Sequence, residues 1–284
     1  MEFQNILEKV LPPELLPHAP KRFEIVGDIL VLRLKEDILP YASKIGEAIL
    51  KENPSVKVVA VRVGLTSGEE RVAPIIVVAG ERRTETIHRE YGCLFKVDLS
   101  KVYFTTKLSF EHQRVASQVK DGETVLNMFS GVGGFSIPIA RRANCRVYSV
   151  DVNPYAIMYL EENIKLNKVE GRVIPVLADA ATFTPPVPVD RVLMPLPLKA
   201  YNYLEHAVRT IKNGGIIHYY DVVVEKSGSP LEELKHKVTR RLKELGVEGE
   251  VVYCRKMRSI APRKSLAVLD VKVSFSSPRG CGIG

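Results

Sequence analysis

Apolar and polar residues follow two different patterns along the chain, and the change between them divides it. The segment FEIVGDILVLRL, residues 23–34, alternates around a Gly-Asp turn and predicts a β-hairpin, and residues 41–51 have helical spacing. Further strands are predicted over 56–63, 75–78, 84–88 and 94–98. We therefore expect a compact α+β domain with antiparallel hairpins over residues 1–104.

From residue 105 onwards, short apolar runs alternate with helical patterns. A helix over 108–119 would place Leu108, Val115 and Val119 on one face and present Glu111, His112 and Arg114 away from it. After it, strands are predicted over 125–129, 146–150, 172–177, 190–194 and 215–222, and helices over 135–142, 155–166 and 200–212, the last ended by a glycine cap at 213–215.

A helix over 231–245 and strands over 248–254 and 266–275 complete the pattern and are expected to add an antiparallel edge. Such alternation predicts a parallel sheet that binds ligands at the carboxyl ends of its strands. We therefore expect an α/β fold, with a Rossmann-like domain over residues 105–275 preceded by the smaller α+β domain, and a flexible tail over 276–284.

The composition narrows the function classes. The 284-residue chain has a net charge of +8 and a pI near 9.2, which indicates either an acidic partner or merely a lysine-rich surface. Cys93, Cys145, Cys254 and Cys281 form no C-x-x-C pair, so neither a metal site nor a disulfide framework is expected. Without a leader or an apolar run of ~20 residues, we expect a soluble cytoplasmic protein that does not enter membranes.

The segment VLNMFSGVGGFS, residues 125–136, reads as a buried strand, a glycine turn and a helix start. Gly131 and Gly133 let the backbone approach a ligand, and Asp151, at the end of the next strand, can accept two hydrogen bonds from a ribose diol. An NAD site requires a third glycine where Ser136 stands. S-adenosylmethionine, which has a ribose and no phosphate, is therefore the better ligand.

Other strand ends should line the same crevice. Asp179 is assigned to the adenine amino group, although it could instead cap a helix. The alternative for Asp151 is capping the helix that starts at Tyr155. The residues that we expect to contact the cofactor are His112, Asn127, Phe129, Gly131, Gly133, Asp151, Val152, Asn153, Asp179, Ala180 and Pro195.

Several motifs carry a more specific resemblance. Residues 89–98 read REYGCLFKVD, 101–104 KVYF, 108–114 LSFEHQR, 127–140 NMFSGVGGFSIPIA, 162–169 ENIKLNKV, 214–220 GGIIHYY and 260–263 IAPR. In order, they resemble the R-E-x-G-x-x-F-x-V-D, K-V-Y-F, L-x-x-E-R-x-R, D-M-F-A-G-V-G-P-F-S-I-P-I-A, E-N-I-x-L-N-K-V, G-G-x-I-H-Y-Y and Y-A-P-R patterns of one family. This family is the archaeal and eukaryotic tRNA (guanine-37-N1)-methyltransferases with their close relatives in wyosine biosynthesis.

The resemblance implies a class I (Rossmann-like) S-adenosylmethionine-dependent methyltransferase that modifies guanosine 37 of tRNA without a metal. By position, Glu111 matches the general base that removes the proton of the attacked base, and Arg71 matches the arginine on the guanine carbonyl. The implied partner is the anticodon arm of tRNA, with tRNA-Phe as the expected substrate and no obligate protein partner.

Three departures from the family pattern affect the expected target. Pro195 replaces an asparagine, Asn127 an aspartate and His112 an arginine. Pro195 offers no side-chain hydrogen bond, so the more apolar strand end suits a larger base. We therefore expect methylation of N1 of guanine, of C7 of the tricyclic wyosine precursor imG2, or of both. His112 either contacts the methionine carboxylate or caps a cluster on the helix surface.

Two basic clusters are candidate phosphate contacts. One lies around the proline turn before the last strand and the other in the first domain, and both could bind an anticodon arm. The residues assigned to tRNA are Arg82, Arg83, Arg89, Arg255, Lys256, Arg258 and Arg263, and His88 and Lys264 lie beside them.

Three other functions remain open from the sequence alone. An aminocarboxypropyltransferase would act on the same modified guanosine, but such relatives have M-G-x-V where this chain has Met194-Pro195-Leu196-Pro197. A non-catalytic tRNA binder is the second alternative, motivated by Asn127 and Pro195. A dehydrogenase is disfavoured by Ser136.

Overall fold

The computed structural model describes residues 3–64, 72–225 and 228–275, and the contacts group into two compact units. The first unit comprises Met1–Arg114, Gly131–Gly134 and Asn153–Lys168, and the second comprises Val115–Ser130, Phe135–Val152 and Val169–Gly284. Two segments from the predicted Rossmann-like region thus pack with the N-terminal part of the chain. The predicted tail, residues 276–284, lies outside the described residues.

Helices and strands follow one another in mixed order along the chain. The α-helices are α1 (Phe3–Val10), α2 (Ala42–Glu52), α3 (Ser109–Ala116), α4 (Ser136–Arg142), α5 (Pro154–Leu166), α6 (Leu204–Thr210) and α7 (Pro230–Glu244). The strands are β1 (Glu24–Val26), β2 (Ile29–Leu32), β3 (Val58–Arg62), β4 (Ile75–Gly80), β5 (Glu85–Glu90), β6 (Cys93–Asp98), β7 (Thr124–Asn127), β8 (Arg146–Asp151), β9 (Val173–Leu177), β10 (Val189–Met194), β11 (Ile211–Val224), β12 (Val247–Ala261) and β13 (Lys264–Phe275). Within the described residues, no helix could serve as a membrane span.

The N-terminal part of the first unit is a four-stranded sheet in the order β1-β2-β3-β4. Strands β1 and β2 form the predicted hairpin, and Gly27 in its turn has a φ of 58°. Strands β2 and β3 are parallel rather than antiparallel, because helix α2 connects them and returns the chain in the same direction. Apolar side chains of α1 and α2 pack against β2 and β3 to form the core.

A separate hairpin of β5 and β6 belongs to the same unit. Its two turn residues, Tyr91 and Gly92, have φ values of 46° and 77°. Positive φ at both central positions is the geometry of a type I′ turn, whose twist matches that of the strands. The motif REYGC therefore encodes the turn that brings Glu90 and Cys93 opposite each other.

Two asparagines of the ENIKLNKV motif join this hairpin to α5. Asn163 accepts a hydrogen bond from Lys96 N at 2.7 Å and donates to Lys96 O at 3.1 Å and to Val132 O at 3.0 Å. Asn167 makes the same pair with Leu94, accepting from its N at 2.9 Å and donating to its O at 2.7 Å. The two side-chain amides thus make the hydrogen bonds to the backbone of β6 that a neighbouring strand would make. Asn163 also binds the glycine turn.

The second unit contains a seven-stranded sheet in the order β12-β13-β11-β10-β7-β8-β9. Strands β7 to β11 are parallel, and β12 and β13 add the antiparallel edge that the sequence predicted. Apolar residues of β7, β10, β11 and β13 pack with α6 and α7 in the core.

Buried polar groups also join the strands of the second unit. The guanidinium of Arg191 on β10 binds Glu123 at 2.7 Å and the carbonyl oxygen of Gln118 at 2.8 Å. His218 on β11 donates from Nδ1 to Asp270 on β13 at 2.7 Å, and both residues are almost fully buried. Because each buried charge has a partner, this network fixes which residues of the three strands lie side by side.

The predicted helix over 200–212 is confirmed as far as Thr210, but its last two residues and its glycine cap are wrong. Helix α6 ends at Thr210, and residues 211–215 already belong to β11, because Ile211 pairs with Val189. Gly214 has a φ of 79°, and a Cβ on Gly215 would lie 2.9 Å from the carbonyl oxygen of Asp190. The glycines therefore allow the irregular register at the start of the β10–β11 pair.

Replacing Asn163 with alanine should lower the free energy of unfolding by about 2–4 kcal/mol, because buried backbone groups of Lys96 and Val132 lose their partners. Urea unfolding monitored by circular dichroism measures the change. Lys165→Ala, at an exposed position of α5, is the matched control and should stay within about 0.5 kcal/mol of the parent. Equal midpoints for the two variants would contradict the bridging role of Asn163.

Candidate functional site

In the second unit, four parallel strands end side by side. Strands β10, β7, β8 and β9 are neighbours, and Pro195, Asn127, Asp151 and Asp179 lie at or just after their carboxyl ends. The carboxyl edge of a parallel sheet is where α/β proteins bind ligands. The second unit therefore places the strand-end residues that the sequence assigned to a nucleoside along one edge.

Asp151 has the features expected of a ribose ligand. It is partly exposed at the end of β8, and the alternative role as a helix cap belongs to another residue, because Asn153 accepts the hydrogen bond from Tyr155 N at 2.9 Å. Val152 is 42% exposed, unusual for an apolar side chain next to a buried strand, and so can contact a ligand.

The side chain of Asn153 makes hydrogen bonds that stabilise the fold. Besides capping α5, its Nδ2 donates to the carbonyl oxygen of Lys101 at 2.9 Å, and the residue is buried. Both polar atoms of the side chain therefore have structural partners. The prediction of a side-chain contact between Asn153 and the cofactor is corrected accordingly.

Asn127 is likewise a structural residue. It is fully buried, donates to Ser136 Oγ at 3.1 Å and accepts from Phe129 N at 3.4 Å, while Ser149 Oγ lies 2.7 Å from Ser136 Oγ. This network shapes the turn after β7 and explains the serine in place of a third glycine. Phe129 packs edge-on against Tyr203, with ring centroids 4.9 Å apart.

Asp179 combines the two roles considered for it. Its Oδ1 accepts a hydrogen bond from Ala181 N at 2.8 Å, which caps the turn after β9. Its Oδ2 makes no hydrogen bond with the described part of the chain, and the residue is exposed, so this oxygen can accept from an amino group. Ala180 beside it is buried.

The loop after β10 depends on a residue that sequence reasoning missed. Leu198 has a φ of 74°, rare for a branched side chain, and its N–H donates to Asp221 Oδ1 at 3.1 Å. Asp221 is buried and also accepts from Tyr219 at 2.9 Å and from Lys237 at 3.1 Å. A lone acid in the apolar run IIHYYDVVV was the available signal. Asp221 thus holds the segment that follows Pro195.

In the first unit, the glycine turn has the backbone that its sequence predicts. Gly131 and Gly133 have φ values of 51° and 100°, and the second lies in a region that only glycine adopts easily. Gly134 is needed for a different reason, since a Cβ there would lie 2.9 Å from Cε1 and 3.1 Å from Nε2 of His112.

His112 is buried, which excludes the alternative of a cluster on the helix surface. Its Nδ1 donates to Glu90 Oε1 at 2.7 Å, and its ring lies against Gly134. The expectation that α3 presents its polar groups outward is therefore wrong for His112, because Glu90 and Gly134 enclose its ring. Glu90 was not identified as a site residue from the sequence.

Glu111, the predicted general base, is also buried. Arg114, one turn along α3, donates to its two oxygens, from Nη2 to Oε1 at 2.6 Å and from Nε to Oε2 at 2.8 Å. The guanidinium of Arg114 therefore fixes the orientation of the Glu111 carboxylate. Arg71 lies outside the described residues.

Of the predicted phosphate contacts in the first unit, Arg83 is a structural residue. Its guanidinium donates to both oxygens of Asp28, at 3.0 and 2.5 Å, and to Glu81 at 2.7 Å. A phosphate would have to displace two carboxylates, so Arg83 is withdrawn as a tRNA contact. Arg82 and Arg89 are exposed.

His88 does not contribute a positive charge at neutral pH. Its Nδ1 accepts a hydrogen bond from Gly27 N at 3.2 Å, its ring packs edge-on against Phe104, and burial lowers its pKa below the ordinary histidine value. An imidazole that accepts at Nδ1 is unprotonated there.

The basic cluster of the second unit surrounds a concave site of about 300 Å³. The site is lined by Glu225, Lys256, Met257, Arg258, Ser259, Arg263, Lys264 and Ser265. Pro262 and Arg263 form the tight turn between β12 and β13, so the IAPR motif places Arg263 at an exposed tip. Arg258 Nε is buried and has no hydrogen-bond partner among the described residues, whereas Lys256 pairs with Glu225.

The described part of the chain contains no cluster of histidine, cysteine and carboxylate side chains able to hold a metal. Cys93, Cys145 and Cys254 form no disulfide bond, and burial raises the pKa of Cys145 to about 11. A thiol with a pKa this high is unreactive at neutral pH.

The mostly parallel sheet, the glycine turn after its first strand and the acid after its second define a class I, Rossmann-like methyltransferase fold. The family comparisons agree with this class. Residues 86–248 match the TRM5/TYW2 methyltransferase domain, and residues 3–84 match the TYW2 N-terminal domain. The chain belongs to the TRM5/TYW2 methyltransferase family, which confirms the resemblance seen in its motifs.

Three relatives illustrate the range of activities in the family. The tRNA (guanine(37)-N(1))-methyltransferase Trm5b of Pyrococcus abyssi is 42% identical, covering 93% of this chain and 78% of the relative. The tRNA 4-demethylwyosine(37)-methyltransferase Taw21 of Saccharolobus solfataricus is 38% identical, covering 89% and 94%. The tRNA(Phe) (4-demethylwyosine(37)-C(7)) aminocarboxypropyltransferase of Pyrococcus horikoshii is 35% identical, covering 95% of each chain.

Solved structures show the same similarity. The complex structure of aTrm5 and tRNALeu has a TM-score of 0.84 and 34% identity, covering 96% of this chain and 78% of that one. TYW2 of P. horikoshii in complex with MeSAdo has a TM-score of 0.80 and 33% identity, covering 97% and 98%. The predicted fold class is confirmed by these neighbours.

The neutral state of His88 has a consequence for stability. Because its pKa is lower in the folded than in the unfolded protein, the unfolded state takes up the proton first as the pH falls. Stability is therefore complete above about pH 6.5 and declines as the pH falls from there towards the folded pKa.

His88→Gln should show a shallower decrease in melting temperature between about pH 7 and 5 than the parent protein. Calorimetry at several pH values measures the slopes. His236→Gln, at an exposed position, is the control and should retain the parent slope. A parent-like slope for His88→Gln would mean that His88 does not carry this proton linkage.

Proposed function

We propose that the chain transfers a methyl group from S-adenosylmethionine to nucleoside 37 of tRNA, at N1 of guanine, at C7 of the tricyclic wyosine precursor, or at both. The observation that carries this proposal is the buried carboxylate of Glu111, held at both oxygens by Arg114 within a chain of this methyltransferase family. A carboxylate within hydrogen-bond reach of the target base can take up the proton that the methyl group replaces.

The residues present fit the cofactor. S-adenosylmethionine supplies a methyl group on a positively charged sulfur, and it is held by contacts to its ribose, base and amino-acid end. We assign the ribose to Asp151, the adenine to Asp179 with Val152 and Ala180, and the close backbone approach to Gly131 and Gly133. Phe129, His112 and Pro195 remain candidate contacts, whereas the side chains of Asn127 and Asn153 serve the fold.

Glu111 is assigned as the general base. When N1 of guanine is the nucleophile, its N–H proton passes to the carboxylate as the N–CH₃ bond forms and the S–CH₃ bond breaks. When C7 is the nucleophile, the proton lost is the one on that carbon. Arg114 fixes the orientation of the carboxylate in either case. Arg71 remains the proposed donor to the guanine carbonyl oxygen.

Two observations favour the tricyclic base as a substrate. The strand end after β10 presents Pro195, which offers no side-chain donor or acceptor to the edge of guanine. Taw21 of S. solfataricus, whose name states 4-demethylwyosine as its substrate, aligns with 89% of this chain. Because Pro195 makes no side-chain hydrogen bond to guanine, no such bond is lost when the base carries an additional ring.

The tRNA contacts are assigned to the basic site of the second unit, formed by Lys256, Arg258 and Arg263 with Arg255 beside it, and to Arg82 and Arg89 of the first unit. The buried Nε–H of Arg258 lacks an acceptor in the described residues, and a phosphate oxygen would supply one. We propose the anticodon arm of tRNA as the ligand, with tRNA-Phe as the cognate species.

Aminocarboxypropyl transfer is the second candidate. It is favoured by the match of residues 3–84 to the TYW2 N-terminal domain and by the P. horikoshii relative, which carries out this reaction. The two activities add groups of different mass to nucleoside 37. Mass spectrometry of tRNA digests therefore separates them.

Glu111→Gln should lower the turnover of methyl transfer by about 10²–10⁴-fold, because the amide cannot take up the proton. Unmodified tRNA and tRNA carrying the tricyclic precursor are offered side by side, and the modified nucleoside is located and weighed by mass spectrometry. Transfer of a methyl group by the parent protein confirms the proposed reaction, and transfer of the larger group replaces it with the second candidate.

Glu161→Gln, at an exposed position of α5, is the matched control and should keep parent turnover. Circular dichroism and melting temperature establish that Glu111→Gln is folded. A folded Glu111→Gln variant with parent turnover on both tRNAs would remove Glu111 from the mechanism.

Arg258→Ala and Arg263→Ala should each weaken tRNA binding. Each should also make the slope of the logarithm of the association constant against the logarithm of the salt concentration shallower by about 1, the value for one phosphate contact. Fluorescence anisotropy with labelled tRNA over a range of salt concentrations measures both quantities. Arg209→Ala, which removes the same charge from an arginine paired with Glu205, should leave the slope unchanged. Slopes equal to that of the parent in both test variants would exclude this site as a phosphate contact.

A further inference from the structure

Glu90, the last residue of β5, has a buried carboxylate oxygen without a partner among the described residues. Its side chain is 3% exposed and that of His112 is 6% exposed. Oε1 accepts the hydrogen bond from His112 Nδ1 at 2.7 Å, whereas Oε2 has no hydrogen-bond partner in the described part of the chain. A buried carboxylate oxygen without a donor is strongly unfavourable. A hydrogen-bond donor from outside the described chain would therefore stabilise Oε2 of Glu90.

The unpartnered oxygen belongs to a pair that lies against the glycine turn. Glu90 binds the Nδ1 edge of the His112 ring, and Cε1 and Nε2 of that ring are the atoms nearest to the position of a Cβ on Gly134. Gly134 is the next residue after Gly133 in the glycine turn, and Gly131 and Gly133 are assigned to the cofactor. All of these residues belong to the first unit.

Gly134 leaves the space that the imidazole ring of His112 occupies. A side chain at 134 would collide with this ring, at 2.9 Å from Cε1. The glycine therefore allows the pair of one acid and one imidazole to lie beside the turn.

We propose that Oε2 of Glu90 accepts a hydrogen bond from the α-ammonium group of the amino-acid end of the methyl donor. This inference rests on the proposed function, because it takes S-adenosylmethionine as the donor. An ammonium group carries three N–H donors and a full positive charge, and so satisfies a buried carboxylate oxygen in both respects. His112 acts as the positioning residue that keeps the carboxylate in place.

The assignment also bears on which group is transferred. An amino-acid arm held at its ammonium group stays on the sulfur when the methyl group leaves. Aminocarboxypropyl transfer instead requires that arm to move to the base. A tight contact at Glu90 is therefore consistent with methyl transfer as the principal reaction.

The test compares three ligands by titration calorimetry: S-adenosylhomocysteine, its analogue without the α-amino group, and 5′-methylthioadenosine, which lacks the amino-acid end. The parent protein should bind S-adenosylhomocysteine about 10- to 100-fold more tightly than the desamino analogue, the range for one charge-assisted hydrogen bond. Glu90→Gln keeps an acceptor for His112 but removes the charge. It should bind these two ligands with equal affinity and 5′-methylthioadenosine as the parent does.

Each contrary outcome has a distinct meaning. Equal binding of S-adenosylhomocysteine and the desamino analogue by the parent protein overturns the inference, even if Glu90→Gln does not fold. An equal loss of affinity for all three ligands in Glu90→Gln overturns it as well, because Glu90 would then serve only the hairpin. If the parent protein binds none of the ligands, the proposed function itself fails. Glu161→Gln is the control and should bind all three as the parent does.

Discussion

The pairing of the α5 asparagines with the backbone of β6 is the interaction on which the organisation of the first unit depends. Four residues of a helix rise about 6.0 Å, and two residues of a strand rise about 6.6–6.8 Å, so Asn163 and Asn167 can both match alternate residues of β6. Each amide supplies one donor and one acceptor, as a neighbouring strand would. The helix therefore satisfies backbone groups that β6 would otherwise leave open along one edge, and it does so only in this register.

Further hydrogen bonds connect the asparagines of α5 to the glycine turn, and His112 beside that turn to Glu90. The hydrogen bond from Asn163 to Val132 O fixes the middle of the turn, and Gly134 at its end lies against His112. His112 in turn binds Glu90, which precedes the tight turn between β5 and β6. Four segments distant in sequence are thus held mainly by directional hydrogen bonds rather than by apolar packing alone. Such bonds specify position more narrowly than burial does, which is what a binding site requires.

In the second unit, buried acids hold the main chain and neighbouring side chains in position. Asp221 holds the main chain after β10 in a conformation that Leu198 would not adopt by itself, and Asp270 and Glu123 pair with a buried histidine and a buried arginine. The strain of a positive φ and the desolvation of these charges are each compensated by specific partners. Consequently, the loop that carries Pro195 depends on a residue of β11 that takes no part in the proposed chemistry.

The sequence by itself determined the succession of elements, the parallel sheet with its antiparallel edge, the glycine turn and the family, because periodicity and turn chemistry are local properties. It failed at residues 211–215, where a strand pairing overrode a pattern typical of a helix end. Only the tertiary structure decided which polar side chains serve the fold: Arg83 binds Asp28, 55 residues away, and Asn163 binds Lys96, 67 residues away. A side chain's role depends on partners that folding brings to it, and no local pattern states which partners those are.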